Sequence, residues 1–492
     1  MQKDLTQILR ERGRSEMPKV LIAAAESAPI AKTGGLANVV GILPRELKRL
    51  GVEARIIMPY HRCIKEEYAD RAERLFFFYT RLGWRNEYVG VERLVLNDTV
   101  FYLIDNEGYF GDRMYRGGEP EGEQYAFFTR AVLEAIPRLD FEPEIVHCND
   151  WHTALIPMLA HTQYSGGVQD RIRYLLTIHN LAFQGRFRFS LLQDMLGVEE
   201  RYYTPEYLEF NGWASFLKAG CVFADRLNTV SPSYAREIRT PEYGEGLDGV
   251  LNARQDVLTG ILNGIDQRYF DPGHDPTLPA NYTARNLDGK AVCKQMLQRG
   301  MGLDQRPDVP LFAMVTRMTE QKGFDLLACV LDDMMCREDF QLMLLGSGEE
   351  RYEKFMAAAE KRYPGKLCTY IGYEEKLAHL VYAGSDFYIM PSRFEPCGLG
   401  QMIAMRYGSI PIVRETGGLR DTVIPYNRFT GEGNGFSFAN FDAWEMRDAM
   451  RLAMACYRDR AIMGGLIDRA MRQNFEFASS TEEYVRQYLW ML

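Results

Sequence analysis

The stretch KVLIAAAESAPIAKTGGLANVVGILPRELKRLG, residues 19–51, decides the fold. It opens on an unbroken run of apolar residues, which reads as a short strand buried on both faces. A Gly-containing turn follows at KTGGL (32–36), and then apolar residues recur at helical spacing through ANVVGILPRELKRLG. This is a β-loop-α unit. It recurs in EARIIMPY (53–60), in EIVHCND (144–150) followed by WHTALIPMLAHTQ (151–163), in RYLLTIHN (173–180) and in RLNTVSPSYAREI (226–238). From about Leu311 the pattern restarts with five short strands, PLFAMVTRM, QLMLLGSG, KLCTYIG, DFYIMPS and SIPIVRE, separated by helical stretches such as HLVYAGS and LGQMIAMRYG. Between the two series lies YFDPGHDPTLPANYTARNLDG (269–289), rich in Pro, Gly, Asn and Asp and read as irregular chain. The expectation is an α/β protein of two Rossmann-like, doubly wound domains. Ligands of open α/β sheets bind beyond the carboxyl ends of the strands, so an interdomain cleft is the expected site.

Composition supports this and excludes several functions. A chain of 492 residues exceeds what one core usually serves. Hydrophobic residues make up 46% and charged residues 25%, the balance of an ordinary globular protein. A net charge of −9 argues against nucleic-acid or anionic-membrane partners, which draw basic surfaces, so an anionic ligand must meet a local basic cluster. Nine cysteines without a CxxC pair suit a reducing compartment. The polar start MQKDLTQILRERGRSEMPKV and the lack of a long apolar run predict a cytoplasmic protein.

Five segments carry candidate chemistry. In KTGGL, Gly34 and Gly35 permit close backbone approach at a helix start, and Lys32 adds a positive charge. In TRMTEQKGFDL (316–326), Arg317 and Lys322 follow a strand end; Arg can fork onto two phosphate oxygens while Lys acts as a point charge. PSRFEPCGLGQMIAMRYGSIPIVRETGGLRDTV (391–423) puts Glu395 on a loop beside the backbone N–H groups of Cys397, Gly398 and Leu399, a set suited to sugar hydroxyls and phosphate. IHNLAFQG (178–185) places His179 directly after a strand, able to hydrogen-bond a sugar or shuttle a proton. HCNDWH (147–152) offers His147, Asp150 and His152, but no third His or Cys at a familiar spacing, so no metal is expected. Each has an ordinary reading too: a solvated lysine in a turn, capping cations, a helix-dipole carboxylate, a structural histidine.

Taken together, KTGGL, the DWH string, HNLAFQG, NGID (263–266), TRMTEQKG, GSGE, the Tyr373 region and PSRFEPCGLGQ occur in the order found in a known family. From Lys19 onward the chain resembles the bacterial and plant glycogen/starch synthases, glycosyltransferases of the two-Rossmann-domain (GT-B) type. The resemblance implies retaining, metal- and cofactor-independent transfer of glucose from ADP-glucose, or from UDP-glucose, to the non-reducing 4-hydroxyl of an α-1,4-glucan. It assigns Lys32, Arg317 and Lys322 to the donor phosphates, and Glu395 to the transferred glucose and the positive charge at its anomeric carbon. His179 falls near the sugar's 6-hydroxyl, and Asp150 with Trp151 on the acceptor side. Tyr373 matches the residue stacking on the nucleotide base, while Gly34, Gly35, Asn263, Cys397, Gly398 and Leu399 line the donor. It also implies domains at 19–258 and 259–473, an N-terminal extension over 1–18, a last helix at 474–492 returning to the first domain, and hinges near 258 and 473. One departure stands out: the motif usually runs KTGGL, a small residue, then Asp, whereas here Ala37 is followed by Asn38. Asn keeps an acceptor oxygen but loses the charge. The rivals are a related transferase acting on other acceptors, a catalytically silent glucan-binding protein, and a nicotinamide oxidoreductase. The last fits poorly, since GSGEER (346–351) lacks the third glycine of a dinucleotide fingerprint.

Overall fold

The computed structural model of the chain describes residues 4–492. These form two compact units, one comprising the described residues through Ile261 together with Phe477–Leu492, the other Leu262–Glu476.

The strands of the first unit are β1 (Lys19–Ala23), β2 (Glu53–Pro59), β3 (Glu73–Leu82), β4 (Arg85–Leu96), β5 (Thr99–Asp105), β6 (Ile145–Asn149), β7 (Arg173–Ile178), β8 (Arg186–Phe187), β9 (Glu209–Phe210), β10 (Trp213–Ser215), β11 (Arg226–Thr229) and β12 (Leu258–Gly260). Nine of them make one sheet in the order β12-β11-β7-β6-β1-β2-β5-β4-β3, and β8, β10 and β9 make a small antiparallel one. From β12 to β5 the large sheet is parallel. Its central strand is buried on both faces: Val20 and Ile22 enter one core with the helix Gly35–Arg49, and Leu21 and Ala23 enter the other with Gly118–Ala135. That two-sided burial is why KVLIA is apolar without alternation. The closing helix Phe477–Met491 packs on this unit, Tyr488 Oη lying 2.9 Å from His147 Nδ1.

The second unit has β13 (Leu311–Val315), β14 (Gln341–Gly346), β15 (Leu367–Ile371), β16 (Phe387–Met390), β17 (Ile410–Arg414) and β18 (Phe436–Phe438), all parallel, in the order β15-β14-β13-β16-β17-β18.

Two features differ from the sequence reading. The second sheet has six strands, not five, because the three-residue β18 is too short to announce itself. The first sheet is not wholly parallel: β3 and β4 form an antiparallel hairpin added beyond β5.

Candidate active site

Each sheet reverses its strand order at one place, where neighbouring crossover connections leave in opposite directions and open a crevice at the carboxyl ends. In the second unit this place lies between β13 and β16. Two loops flank it, residues 316–323 after β13 and 391–399 after β16, and these hold the donor candidates. Lys322 Nζ donates to Glu395 Oε2 at 2.6 Å, and Ser392 Oγ donates to the same oxygen at 2.9 Å. The pair is largely buried, with side-chain exposures of 16% and 8%. Arg317, at the end of β13, is exposed, and its side chain has no partner among the described residues.

Backbone geometry fixes this arrangement. Gly323 has φ +78° and sits so close to the Pro391 carbonyl that a Cβ would collide with it. Gly417, at φ +45°, abuts the Glu395 carbonyl, and Gly418 donates its N–H to the carbonyls of Glu395 and Pro396 at 3.2 Å each. The TGG turn thus forms the floor under the Glu395 loop, which explains why glycine is needed there. Gln401 holds the loop from the other side, donating to the carbonyls of Cys397 at 3.1 Å and Gly398 at 2.9 Å. Glu395 is not a helix-terminal carboxylate, since the helix begins only at Gly400 with Leu399 as its N-cap. Asn263 is buried and its backbone hydrogen-bonds the Cys397 thiol, whose pKa burial pushes up to about 12. Tyr373 projects into solvent between β15 and the helix Glu375–Gly384, with 68% of its surface exposed.

In the first unit the reversal lies between β1 and β6. After β1, Glu26 is buried and its Oε2 accepts from both the N–H and the hydroxyl of Thr33, at 2.6 Å each. It thereby ties down the turn carrying Lys32, Gly34 and Gly35. Gly34 is the N-cap of the helix Gly35–Arg49, and Lys32 is exposed with no side-chain partner among the described residues. After β6, Asp150 adopts φ +56°, turning its carboxylate back so that Oδ1 accepts the His179 N–H at 2.7 Å. Burial raises the Asp150 pKa to about 7, against the pull of the His179 and Asn180 amides and with a push from Glu26. The His179 ring bonds Asn149 Oδ1 at 2.9 Å, and burial lowers its pKa to about 3. Trp151 stacks on His152 with ring centroids 4.1 Å apart. Among the described residues no group of three or more His, Cys, Asp or Glu is placed to hold a metal ion. Both ring nitrogens of His147 are engaged, by Tyr488 Oη and by Thr177 Oγ1 at 2.6 Å.

The fold therefore joins Lys322 to Glu395, Asp150 to His179 and Asn263 to Cys397, while Lys32, Arg317 and Tyr373 stand exposed. Sequence reasoning missed Glu26 and Ser392. The signal for Ser392 was its place three residues before Glu395; for Glu26 it was an acidic residue ending an otherwise apolar run.

Two family models match the chain: the starch synthase catalytic domain over residues 19–253 and glycosyl transferases group 1 over 303–465. The glycogen synthase of Geobacillus thermodenitrificans is 49% identical over 471 residues, covering 96% of this chain and 97% of that protein. The chain belongs to the glycogen/starch synthase family. Its GT-B architecture matches the catalytic domain of starch synthase IV from Arabidopsis thaliana, a structure bound to ADP and acarbose, with a TM-score of 0.88 and 32% identity over 97% of this chain and 99% of that one. A sucrose-phosphate synthase from Thermosynechococcus elongatus shares the fold alone, at a TM-score of 0.60 and 16% identity over 96% of this chain and 98% of that one. As a family member the chain is a glucosyltransferase. Among its described residues no helix is long and apolar enough to cross a membrane.

Proposed function

We propose that this glucosyltransferase uses ADP-glucose as donor and extends the non-reducing 4-hydroxyl of an α-1,4-glucan with retention of configuration. The observation that carries the reading is the Lys322–Glu395 pair at the strand-order reversal of the second unit, with Arg317 unpaired at the neighbouring strand end. A nucleoside diphosphate leaving group gathers negative charge as the bond from the anomeric carbon breaks. Fixed cations stabilise that charge without a matched general acid. Lys322 and Arg317 fill this role. Glu395, oriented by Ser392, faces the positive charge that develops at the anomeric carbon. The acceptor oxygen forms the new bond, and its proton passes to the departing phosphate oxygen. Asn263, Cys397, Gly398 and Leu399 shape the donor pocket of the second unit, and Tyr373 stacks on the base. Asp150, whose pKa burial pushes up to about 7, hydrogen-bonds neutral sugar hydroxyls, with Trp151 beside it.

The choice of ADP-glucose is supported by the ADP in the starch synthase IV structure. The test is release of free nucleoside diphosphate when purified protein meets glycogen with either ADP-glucose or UDP-glucose. Glycogen-dependent ADP release is expected. UDP release alone transfers the donor assignment to the uridine sugar, and no release with either leaves a glucan-binding protein in which Asn38 marks the loss of activity.

A further inference from the structure

Two of the loops assigned to the donor open helices that end on one buried side chain. Tyr373 precedes the helix Glu375–Gly384, and Cys397–Leu399 precede the helix Gly400–Arg406. Lys290, near the start of the helix Asp288–Gly300, is buried. Its ammonium donates to the Ala383 carbonyl at 2.9 Å, the Ser385 carbonyl at 2.8 Å and the Tyr407 carbonyl at 3.0 Å. Ala383 lies in the last turn of the first helix and Ser385 is its C-cap, while Tyr407 is the C-cap of the second. Three N–H donors thus meet three acceptors, at helix ends where carbonyls lack intrahelical partners and a positive charge is favoured.

Packing brings the lysine there. Gly289 approaches the Asn281 carbonyl so closely that a Cβ would collide with it, which seats the helix start against residues 281–282. Gly384 lies against the same helix, where a Cβ would stand 3.0 Å from the Cys293 carbonyl. The segment 269–289, irregular in sequence, completes the clasp. Tyr282 Oη donates to the Tyr407 carbonyl at 2.7 Å, and Asp275 Oδ2 accepts the Tyr407 hydroxyl at 2.6 Å with His379 Nδ1 also at 2.6 Å. Sliding either helix along its axis would strip a buried carbonyl of a charged donor, a larger loss than that of an ordinary hydrogen bond.

We propose that Lys290 is a positioning residue for donor binding: its one ammonium ties two helix ends together and so holds the Tyr373 loop and the Cys397–Leu399 loop at a set separation. The role rests on the donor reading given above for those loops. It requires the charged form, because a neutral amine has two N–H groups for three carbonyls and turns a lone pair toward one of them. Burial lowers the Lys290 pKa to about 8, against the pull of Asp386 and Cys293 and with a push from Lys294. Around it, burial raises the Cys293 thiol and the Tyr282 and Tyr407 phenols, Asp386 raises Lys294 against that residue's own burial, and hydrogen bonds from Thr277, Tyr407 and His379 lower Asp275 against its burial. Loss of the Lys290 proton above about pH 8 is therefore expected to release one carbonyl and loosen the donor loops.

The experiment measures KM for ADP-glucose, KM for glycogen and kcat from pH 7 to 9 in the parent, Lys290→Met, Tyr282→Phe and Tyr373→Ala. Lys290→Met should raise donor KM about tenfold at pH 7, with kcat and glycogen KM within about twofold of the parent. If the neutral form binds donor about tenfold more weakly, the parent's donor KM should rise about fivefold between pH 7 and 9, while that of Lys290→Met stays flat. Tyr282→Phe removes the second donor to the Tyr407 carbonyl and should steepen the alkaline rise. A parent donor KM that is flat over this range overturns the proposal. So does a Lys290→Met variant whose glycogen KM and kcat worsen by the same factor as its donor KM, the mark of general loosening. Should Lys290→Met fail to fold, a Tyr282→Phe profile identical to the parent's overturns it. A donor KM that moves in Tyr373→Ala but not in Lys290→Met overturns the proposal alone, and one that moves in neither overturns the donor reading with it.

Discussion

The two strand-order reversals are alike in topology and opposite in chemistry. In the second unit the flanking loops meet through an ion pair, Lys322 to Glu395, with a further cation exposed at Arg317. In the first unit the equivalent loops hold buried groups of weakened charge: His179 with its pKa lowered to about 3, His152 likewise, and Asp150 raised to about 7. One fold built twice thus offers one crevice carrying an ion pair beside an exposed cation and another lined by buried groups of weakened charge.

The largest effect should come from breaking the charged side. Lys322→Ala removes a cation from the leaving diphosphate and leaves Glu395 with only Ser392, so turnover should fall by about 10³-fold at saturating donor. Rates of nucleoside diphosphate release, with thermal melting as a check on folding, measure this. A loss under tenfold would remove Lys322 from the chemistry and collapse the contrast between the two crevices.

Acid should break the neutral side. His61, with its pKa lowered to about 4, and His147, His152 and His179, at about 3, are all buried in the first unit. Their folded values lie below the unfolded one, so the stability they contribute is complete above about pH 6.5 and is lost as the pH falls toward 3–4. Asp150 acts in the opposite sense: its raised value keeps a proton on the folded state between about pH 4 and 7, offsetting one imidazole. About three protons remain, a slope of roughly 4 kcal/mol per pH unit near pH 5. Melting followed from pH 7 to 5 should show the first unit unfolding ahead of the second, and His147→Gln should flatten the slope by about a third. A pH-independent transition over that range would show that these rings are not neutral in the fold.

Gly417→Ala tests how far the charged crevice depends on its floor. The new methyl would run into the Glu395 carbonyl from a backbone at φ +45°. A cost of about 2–3 kcal/mol is expected, together with a fall in kcat as the Glu395 loop lifts. Unchanged melting and turnover would mean the loop is held from elsewhere.

What could be read beforehand follows the same division. Parallel strands buried on both faces are continuous apolar runs, so KVLIA, RYLLTI and QLMLLG announced themselves, and with them the doubly wound architecture. The β3–β4 hairpin escaped because its two faces differ: ERLFFFYTRL mixes core residues with exposed aromatics, and its meaning depends on which edge it joins. In the site, residues with distinctive chemistry at strand ends were visible. Glu26 was not, because its role consists of two hydrogen bonds to a turn seven residues ahead, and no spacing rule encodes that contact.

Asn38 gives the smallest expected effect and the sharpest comparison within one crevice. It lies half-buried in the fourth position of the helix Gly35–Arg49, whose first turn carries no acidic residue and whose N-cap is Gly34. Asn38→Asp would restore a negative charge near that helix's N-terminus. Interaction with the helix dipole should raise stability by about 0.5 kcal/mol, while the same charge, in the first turn of the helix that starts at the Gly34–Gly35 turn, should weaken attraction for an anion there. The expected balance is a slightly higher Tm and a donor KM raised up to about threefold, with kcat little changed. If instead kcat rises more than tenfold, a carboxylate at position 38 acts on the reacting sugar and not on the helix alone.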